Sequence, residues 1–189
     1  MVVGITGNYC SGKNSACRVF AKHGYEVIDV DKIGHEALEA RQREVVAALG
    51  EEVLKEGRIY RKKLGNIVFG NEEKKKKLES IVHPWMIRRV KSLTGKSENI
   101  VINAALLIEM CLFVLCDFVI GIDVEEEIAL RRGISRDMIS REEALKRLRA
   151  QIPLKEKMYY VDKIIENSGS LQEFREKIRE TMDYIHKLA

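Results

Sequence analysis

The sequence predicts an α/β fold in which helices cover both faces of a five-stranded parallel sheet. Five short runs rich in Val and Ile carry this prediction. They are Val2–Thr6, Glu26–Val30, Asn99–Asn103, Phe118–Asp123 and Lys163–Glu166. Several are apolar nearly throughout rather than alternating, which is typical of strands buried on both faces of a parallel sheet. Because helical patterns separate them, we expect a three-layer α/β/α arrangement.

The elements between the strands are predicted in chain order. A glycine-rich turn leads from the first strand into a helix over Asn14–Lys22. The gap between the second and third strands is too long for a single crossover connection, and it contains helical patterns at Lys32–Leu49, Arg61–Phe69 and Glu72–Leu93. We expect one domain spanning residues 1–189, with a helical insertion at about 32–97 and an arginine-rich lid at about 131–160.

Composition and charge narrow the class of protein. The chain is 46% hydrophobic and 33% charged, which is typical of a soluble globular protein. A net charge of +4 suits an anionic small molecule, and no basic stripe of the kind that binds nucleic acid is present in the sequence. The four cysteines form no C-x-x-C pair, which argues against a zinc site. We find no signal peptide and no membrane-spanning stretch, and therefore expect a cytoplasmic protein with reduced thiols.

A phosphate-binding loop follows the first strand. Residues 7–13 have the spacing G-x-x-x-x-G-K and open the predicted helix, which is the structural context that a P-loop requires. Glycines allow the backbone N–H groups to turn inward around a phosphate, and the helix N-terminus favours the same anion. Lys13 adds a positive charge for the β- and γ-phosphates of ATP. The residues predicted to bind ATP here are Cys10, Ser11, Gly12, Lys13, Asn14 and Ser15.

One position departs from the P-loop pattern. Asn14 stands where Ser or Thr normally binds Mg²⁺ through its hydroxyl, and a serine follows one residue later, at Ser15. An asparagine carbonyl is a hard oxygen ligand, so we predict Mg²⁺ binding by Asn14 and Ser15. Cys10 lies close to a helix N-terminus and a lysine, so its thiol has either a lowered pKa or the ordinary behaviour of a buried thiol.

Two aspartates stand at the end of the second strand. Asp29 and Asp31 lie on one side of an extended chain, and the carboxyl ends of parallel strands face the ligand crevice. One of them is a candidate base for the hydroxyl of a phosphoryl acceptor. The alternative for Asp31 is an N-cap of the helix predicted from Lys32.

Arginines and one asparagine complete the candidate site. Residues 131–136 and 141–149 are dense in arginine, and a closing flap that carries Arg136 would clamp phosphate oxygens. The alternative is a surface helix with Glu/Arg pairs. Asn167 follows the fifth strand, where the loop is placed either to contact adenine or to form an ordinary turn.

A set of motifs occurs in fixed order along nearly the whole chain. They are Gly4–Ser15, Asp29–Asp31, Arg61–Leu64, Phe69, His83–Pro84, Ala105–Glu109, Arg132, Arg136–Asp137, Arg147, Gln151 and Asp162–Gly169. Together they resemble the dephospho-coenzyme A kinases, a family of P-loop kinases. Ala105 and Val161 stand where that family usually has proline and alanine, and Asn103 stands where many members carry an aspartate near the metal and some a hydrophobic residue.

The resemblance implies ATP-dependent phosphorylation of the ribose 3′-hydroxyl of dephospho-coenzyme A, the last step of coenzyme A synthesis. It favours Asp31 as the base, Lys13 and the loop as the ATP site, Arg136 and Arg132 as phosphate clamps, and the insertion as the cradle of the acceptor. Two alternatives stay open. One is a P-loop kinase for another small acceptor, and the other is a nucleotide-binding homologue whose catalysis is weakened by Asn14. The oligomeric state is not predicted.

Overall fold

The computed structural model describes residues 1–188. The strands are β1 (Val2–Gly7), β2 (Glu26–Asp29), β3 (Leu54–Lys55), β4 (Arg58–Ile59), β5 (Ile100–Asn103), β6 (Phe118–Asp123) and β7 (Lys163–Glu166). The helices are α1 (Lys13–Lys22), α2 (Val30–Ala40), α3 (Gln42–Leu49), α4 (Arg61–Val68), α5 (Glu72–Thr94), α6 (Glu126–Asp137), α7 (Arg141–Arg149), α8 (Leu154–Lys157) and α9 (Leu171–Leu188). Short 3₁₀ turns occupy Glu51–Val53, Leu112–Leu115 and Met158–Tyr160.

The main sheet has five parallel strands in the order β2-β5-β1-β6-β7, and it confirms the predicted α/β fold class. Strand β1 lies at the centre, where Ile5 pairs with Asn103 of β5 and with Ile120 of β6. Because all strands run in the same direction, the residues after β1, β5 and β7 emerge at one edge of the sheet. The candidate phosphate loop starts at this edge.

The first compact unit comprises Met1–Asp29 and the chain from Thr94 onward, and it contains the main sheet. On one face of the sheet, Val3 and Ile5 are fully buried in a cluster with Phe20 of α1 and Phe174 of α9. Gly4 faces the opposite side, where an added Cβ would lie 2.8 Å from Leu107 Cδ2. The alternation of strand side chains thus gives the sheet two packed faces.

The second compact unit comprises Val30–Leu93 and overlaps the predicted insertion at 32–97. The single helix predicted over Lys32–Leu49 is wrong: two helices meet at Arg41, whose φ of −115° and ψ of 21° leave the helical region. A two-stranded antiparallel hairpin of β3 and β4 follows, which the sequence analysis missed. Its turn consists of Glu56 and Gly57, both with positive φ, as tight hairpin turns require.

The region 131–160 is mostly helical, as predicted, and contains the end of α6, α7, α8 and a 3₁₀ turn, with short non-helical segments at 138–140 and 150–153. Helix α7 begins with a capping box in which the Ser140 hydroxyl accepts from the Glu143 amide, and the Glu143 carboxylate accepts from the Ser140 amide. Between residues 1 and 188, no helix is both long and apolar enough to cross a bilayer.

Candidate active site

The phosphate loop connects β1 to α1, as its sequence predicts. Gly7 and Gly12 have φ angles of 152° and 105°, which favour glycine. An added Cβ would lie 2.4 Å from the Ile122 carbonyl oxygen at Gly7 and 2.2 Å from Asn167 Nδ2 at Gly12. Both glycines are therefore required by the backbone angle and by the close approach of a neighbour.

Lys13 is the first residue of α1, and its side chain lies over the loop. Its Nζ donates hydrogen bonds to the carbonyl oxygens of Gly7 at 2.7 Å and Asn8 at 3.1 Å. The ammonium group is thus held at the mouth of the loop by backbone acceptors. In this position a phosphate would meet the lysine charge and the N-terminus of α1 together.

Asn14 and Asn103 form a hydrogen-bonded pair next to the loop. Asn103 is the last residue of β5, and its Nδ2 donates to Asn14 Oδ1 at 2.8 Å. An amide oxygen has two lone pairs, so this bond leaves Asn14 Oδ1 capacity for a cation. Ser15 is half-buried in the first turn of α1. Magnesium sites are completed by phosphate and water oxygens, so one or two such protein ligands fit the ion.

Three further predicted residues lie in the loop or against it: Cys10, Ser11 and Asn167. Ser11 is fully buried, and Asn167 Nδ2 donates to the Ser11 carbonyl at 2.7 Å. Asn167 is 5% exposed, so its side chain holds the loop, and its predicted contact with adenine stays a prediction. Cys10 has a φ of 56°, and burial raises the pKa of its thiol. The structure therefore favours the ordinary thiol at Cys10 over the activated one.

Arg136 is held next to the loop by a carboxylate. Its Nε and one terminal nitrogen donate to the two Asp137 oxygens at 2.7 and 3.1 Å, and Arg147 donates to the same carboxylate at 2.6 Å. The carboxylate also accepts from the Tyr9 hydroxyl at 2.5 Å. We call these four residues the Tyr9–Asp137 cluster. Sequence reasoning assigned no role to Tyr9.

Unpaired polar atoms lie in the same unit. Arg132 has a buried terminal nitrogen, and Gln151 a buried amide oxygen, for which no hydrogen-bond partner exists among residues 1–188. A buried donor without a hydrogen-bond partner lowers the stability of the protein, so a ligand atom that accepts a hydrogen bond from Arg132 would bind favourably there. An anionic ligand oxygen has this chemistry.

A buried ion pair joins α8 to Glu109, and sequence reasoning missed it. Lys157 of α8 is 2% exposed, and its Nζ lies 2.7 Å from Glu109 Oε1, although the angles are not those of a hydrogen bond. The same ammonium donates to the Ala105 carbonyl at 3.2 Å. One sequence feature indicates that Lys157 is buried: it stands three residues after the apolar Leu154, which places both on one face of α8.

Asp31 belongs to the second unit, where it lies exposed in the first turn of α2. The helix begins at Val30, so Asp31 is inside it and the N-cap interpretation is wrong. A carboxylate in a first turn interacts favourably with the helix dipole, which is a weaker role than capping.

The second unit also contains a groove with a volume of about 620 Å³. Its lining combines basic, polar and apolar side chains with one acidic side chain. They are His35, Leu38, Glu39, Gln42, Arg58, Ile59 and Arg61. This mixture suits a ligand with both anionic and apolar parts.

Comparison with known proteins decides the family. A family model described as dephospho-CoA kinase matches residues 1–173. The chain belongs to the dephospho-CoA kinase family. The dephospho-CoA kinase of Carboxydothermus hydrogenoformans is 39% identical over 186 residues, which cover 94% of this chain and 90% of that protein.

Solved structures agree with membership of the dephospho-CoA kinase family. A dephospho-CoA kinase from Campylobacter jejuni superposes with a TM-score of 0.71 at 30% identity, covering 98% of this chain and 97% of that one. TT1252 from Thermus thermophilus gives a TM-score of 0.84 at 31% identity, covering 97% of each chain. These findings confirm the predicted resemblance, the P-loop kinase fold and the class of ATP-dependent kinases.

Proposed function

We propose that this chain transfers the γ-phosphoryl group of ATP to the ribose 3′-hydroxyl of dephospho-coenzyme A, the final step of coenzyme A biosynthesis. The family match over residues 1–173 carries the proposal. The phosphate loop with Lys13 at its mouth supports it, because that arrangement supplies the charge and the donors that a transferred phosphoryl group needs.

Residues 10–15 are proposed to bind the ATP phosphates, with Asn167 supporting the loop from behind. Lys13 would exchange its two carbonyl partners for phosphate oxygens. Arg136 and Arg132 are proposed to donate to the phosphates from the lid at 131–160, where the unpaired nitrogen of Arg132 is available. Arginine donors placed on developing negative charge favour the transition state over the ground state.

Asn14 and Ser15 are proposed to hold Mg²⁺ together with the ATP phosphates. The bound ion would supply charge neutralisation at the β- and γ-phosphate oxygens. Asn14 Oδ1 is a suitable hard ligand, and the bond from Asn103 Nδ2 fixes its direction. The side chains of Asn14 and Asn103 are neutral. The protein therefore contributes less negative charge to the proposed metal site than it would with an aspartate at position 103.

Asp31 is proposed as the base that accepts the proton of the ribose hydroxyl. Its carboxylate is exposed, and along the chain Asp31 comes two residues after the end of β2. Residues that follow the strands of a parallel sheet commonly bind ligands in α/β proteins. The groove of the second unit, within the proposed insertion at 32–97, is the proposed cradle of the acceptor. Arg58 and Arg61 suit its pyrophosphate, and Leu38 and Ile59 suit its pantetheine chain. A cytoplasmic location and the absence of a nucleic-acid partner stay predictions.

An acceptor panel tests the proposal. We expect ADP release from ATP and Mg²⁺ to depend on dephospho-coenzyme A, and to be slow with shikimate, adenosine or nucleoside monophosphates. Asp31→Asn should reduce turnover by about 100- to 1,000-fold with only a small decrease in melting temperature from the lost interaction with the helix dipole, whereas Asp183→Asn, on the exposed face of α9, should change neither. Faster turnover with another acceptor would contradict the proposal. If Asp31→Asn lowered only the stability and not the turnover, Asp31 would not be the base.

A second candidate is a nucleotide-binding homologue with weakened turnover. The observation that favours it is the Asn14–Asn103 bond, because it occupies one lone pair of the only oxygen that Asn14 offers a cation. Asn14→Ser discriminates between the two candidates. A large gain in kcat or in Mg²⁺ affinity would mark the natural chain as impaired, and an unchanged rate would make Asn14 a competent substitute.

A further inference from the structure

Tyr9 lies in the phosphate loop with its ring against the backbone of α6. A Cβ added at Gly133 would lie 2.4 Å from Tyr9 Cε1, 2.8 Å from its hydroxyl oxygen and 2.9 Å from Cζ. Gly133 is buried in the middle of α6, where glycine is otherwise an unfavourable residue. The helix thus has a glycine at the one position where the ring needs room.

The Tyr9 hydroxyl joins the loop to the charged end of α6. It donates to Asp137 Oδ2 at 2.5 Å, and the same carboxylate binds Arg136 and Arg147. Both guanidinium carbons also lie over the ring, at 5.1 Å for Arg136 and 6.0 Å for Arg147, which is the geometry of a cation–π contact. One side chain of the loop therefore contacts all three charged residues, on two different helices.

The protonation states of the Tyr9–Asp137 cluster are stable near neutral pH. Burial, followed by the hydrogen bond to Asp137, raises the pKa of Tyr9 to about 12. The hydrogen bond from Arg136 is the largest of the effects that lower the pKa of Asp137 to about 2. The phenol therefore remains a donor and the carboxylate an acceptor, so the cluster persists under the conditions in which a kinase works.

We propose that Tyr9 is a positioning residue that holds Arg136 and Arg147 beside the phosphate loop through Asp137. Long arginine side chains lose much conformational freedom when a ligand fixes them, and a cluster formed beforehand removes part of that cost. The Asp137 carboxylate neutralises one of the two positive charges, so the cluster presents a net charge of about +1 to the loop. This role rests on the proposed function, because it assumes that Arg136 acts on the phosphates of ATP.

The distinguishing variant is Tyr9→Phe, which keeps the ring and its contacts with the guanidinium groups and removes the donor to Asp137. Asp137→Asn removes the charge that joins the arginines, and the double variant tests whether both changes act through one cluster. Tyr184→Phe is the matched control, because Tyr184 lies half-exposed on α9, outside the cluster. Steady-state kinetics, ATP affinity without acceptor, and hydrogen–deuterium exchange of peptides covering residues 131–150 are measured for each.

We expect Tyr9→Phe to lower kcat by about tenfold, the effect of one hydrogen bond to a charged group, with an unchanged KM for dephospho-coenzyme A. Exchange in residues 131–150 should be faster than in the natural chain when no nucleotide is bound. The double variant should have the kcat of Asp137→Asn, because the phenol acts only through that carboxylate. The control should match the natural chain.

The proposal is overturned if Tyr9→Phe leaves exchange and kcat unchanged, or if the two single effects multiply in the double variant. A purely structural role would lower the melting temperature and alter KM and kcat together. Hydrogen–deuterium exchange and ATP affinity are measured without an acceptor, so they test the role of the Tyr9–Asp137 cluster independently of the proposed acceptor. If they change as expected while dephospho-coenzyme A is not phosphorylated, the positioning of the arginines stands and the proposed acceptor fails.

Discussion

Replacing Lys157 by methionine is expected to destabilise the protein strongly. The Lys157 side chain is 2% exposed, and its ammonium nitrogen lies 2.7 Å from Glu109 Oε1. The Glu109 side chain is 18% exposed, but both of its carboxylate oxygens are buried. Methionine keeps most of the aliphatic length, so the substitution removes the charge with little change in packing volume. It leaves the buried Glu109 carboxylate without its cation, and a buried charge without a partner is costly.

The magnitude follows from that burial. Removing one partner of a buried ion pair costs about 3–5 kcal/mol, and both Glu109 carboxylate oxygens are inaccessible to solvent, so we expect a cost within this range. For a chain of this size, each kcal/mol shifts the melting temperature by about 2–4 °C, so we expect a decrease of roughly 6–20 °C. Thermal unfolding followed by circular dichroism, together with urea titration, measures both quantities.

Two further variants make the test specific. Lys155→Met changes an exposed lysine on the same helix and should shift the melting temperature little. Adding Glu109→Leu to Lys157→Met should recover most of the lost stability, because an apolar pair replaces the uncompensated charge. A decrease of less than about 2 °C for Lys157→Met, or a double variant that is less stable than the single one, would refute the reasoning.

Three other substitutions give separate tests. Gly133→Ala should lower the unfolding free energy, measured by urea titration, by about 1–3 kcal/mol, because the Tyr9 ring must move. In a protein that also carries Tyr9→Ala, Gly133→Ala should raise the unfolding free energy by about 0.5–1 kcal/mol, because alanine has the better helix propensity. The folded pKa of Asp137, about 2, lies below its ordinary value of 3.8, so its stabilising contribution is present above about pH 4 and lost as the pH falls toward 2. Asp137→Asn should therefore flatten the acid side of a plot of melting temperature against pH, and an unchanged curve would contradict the shift. Gly12→Ala should abolish ATP binding in a calorimetric titration, because its Cβ would lie 2.2 Å from Asn167 and its φ of 105° disfavours alanine; normal binding would show that the loop tolerates the change.

The main sheet could be predicted from sequence because its strands are short, apolar and separated by helices. Strand Phe118–Asp123 has the predicted bounds, and β1 differs by one residue, Gly7. The break at Arg41 could not be predicted, because no Gly or Pro marks it and the flanking residues are good helix formers. The β3–β4 hairpin was missed because its strands have two residues each, too few for a periodic pattern.

The phosphate loop could be predicted because its chemistry lies within nine consecutive residues, from Gly7 to Ser15. Its supports could not, because they come from distant parts of the chain. Tyr9 and Asp137 are 128 positions apart, and neither residue type signals the other. Lys157 stands among charged residues that the pattern assigns to a surface helix, and only the fold shows that it is buried against Glu109.

Direct transfer of a labelled phosphoryl group tests the central claim. The protein is incubated with Mg²⁺, dephospho-coenzyme A and ATP labelled at the γ-phosphate, and the product is separated and its phosphate located by two-dimensional NMR. We predict label on the ribose 3′-oxygen, formed in amounts equal to ADP, and its loss in Lys13→Ala. Label released as inorganic phosphate, or found at another position or on another acceptor, would contradict the account.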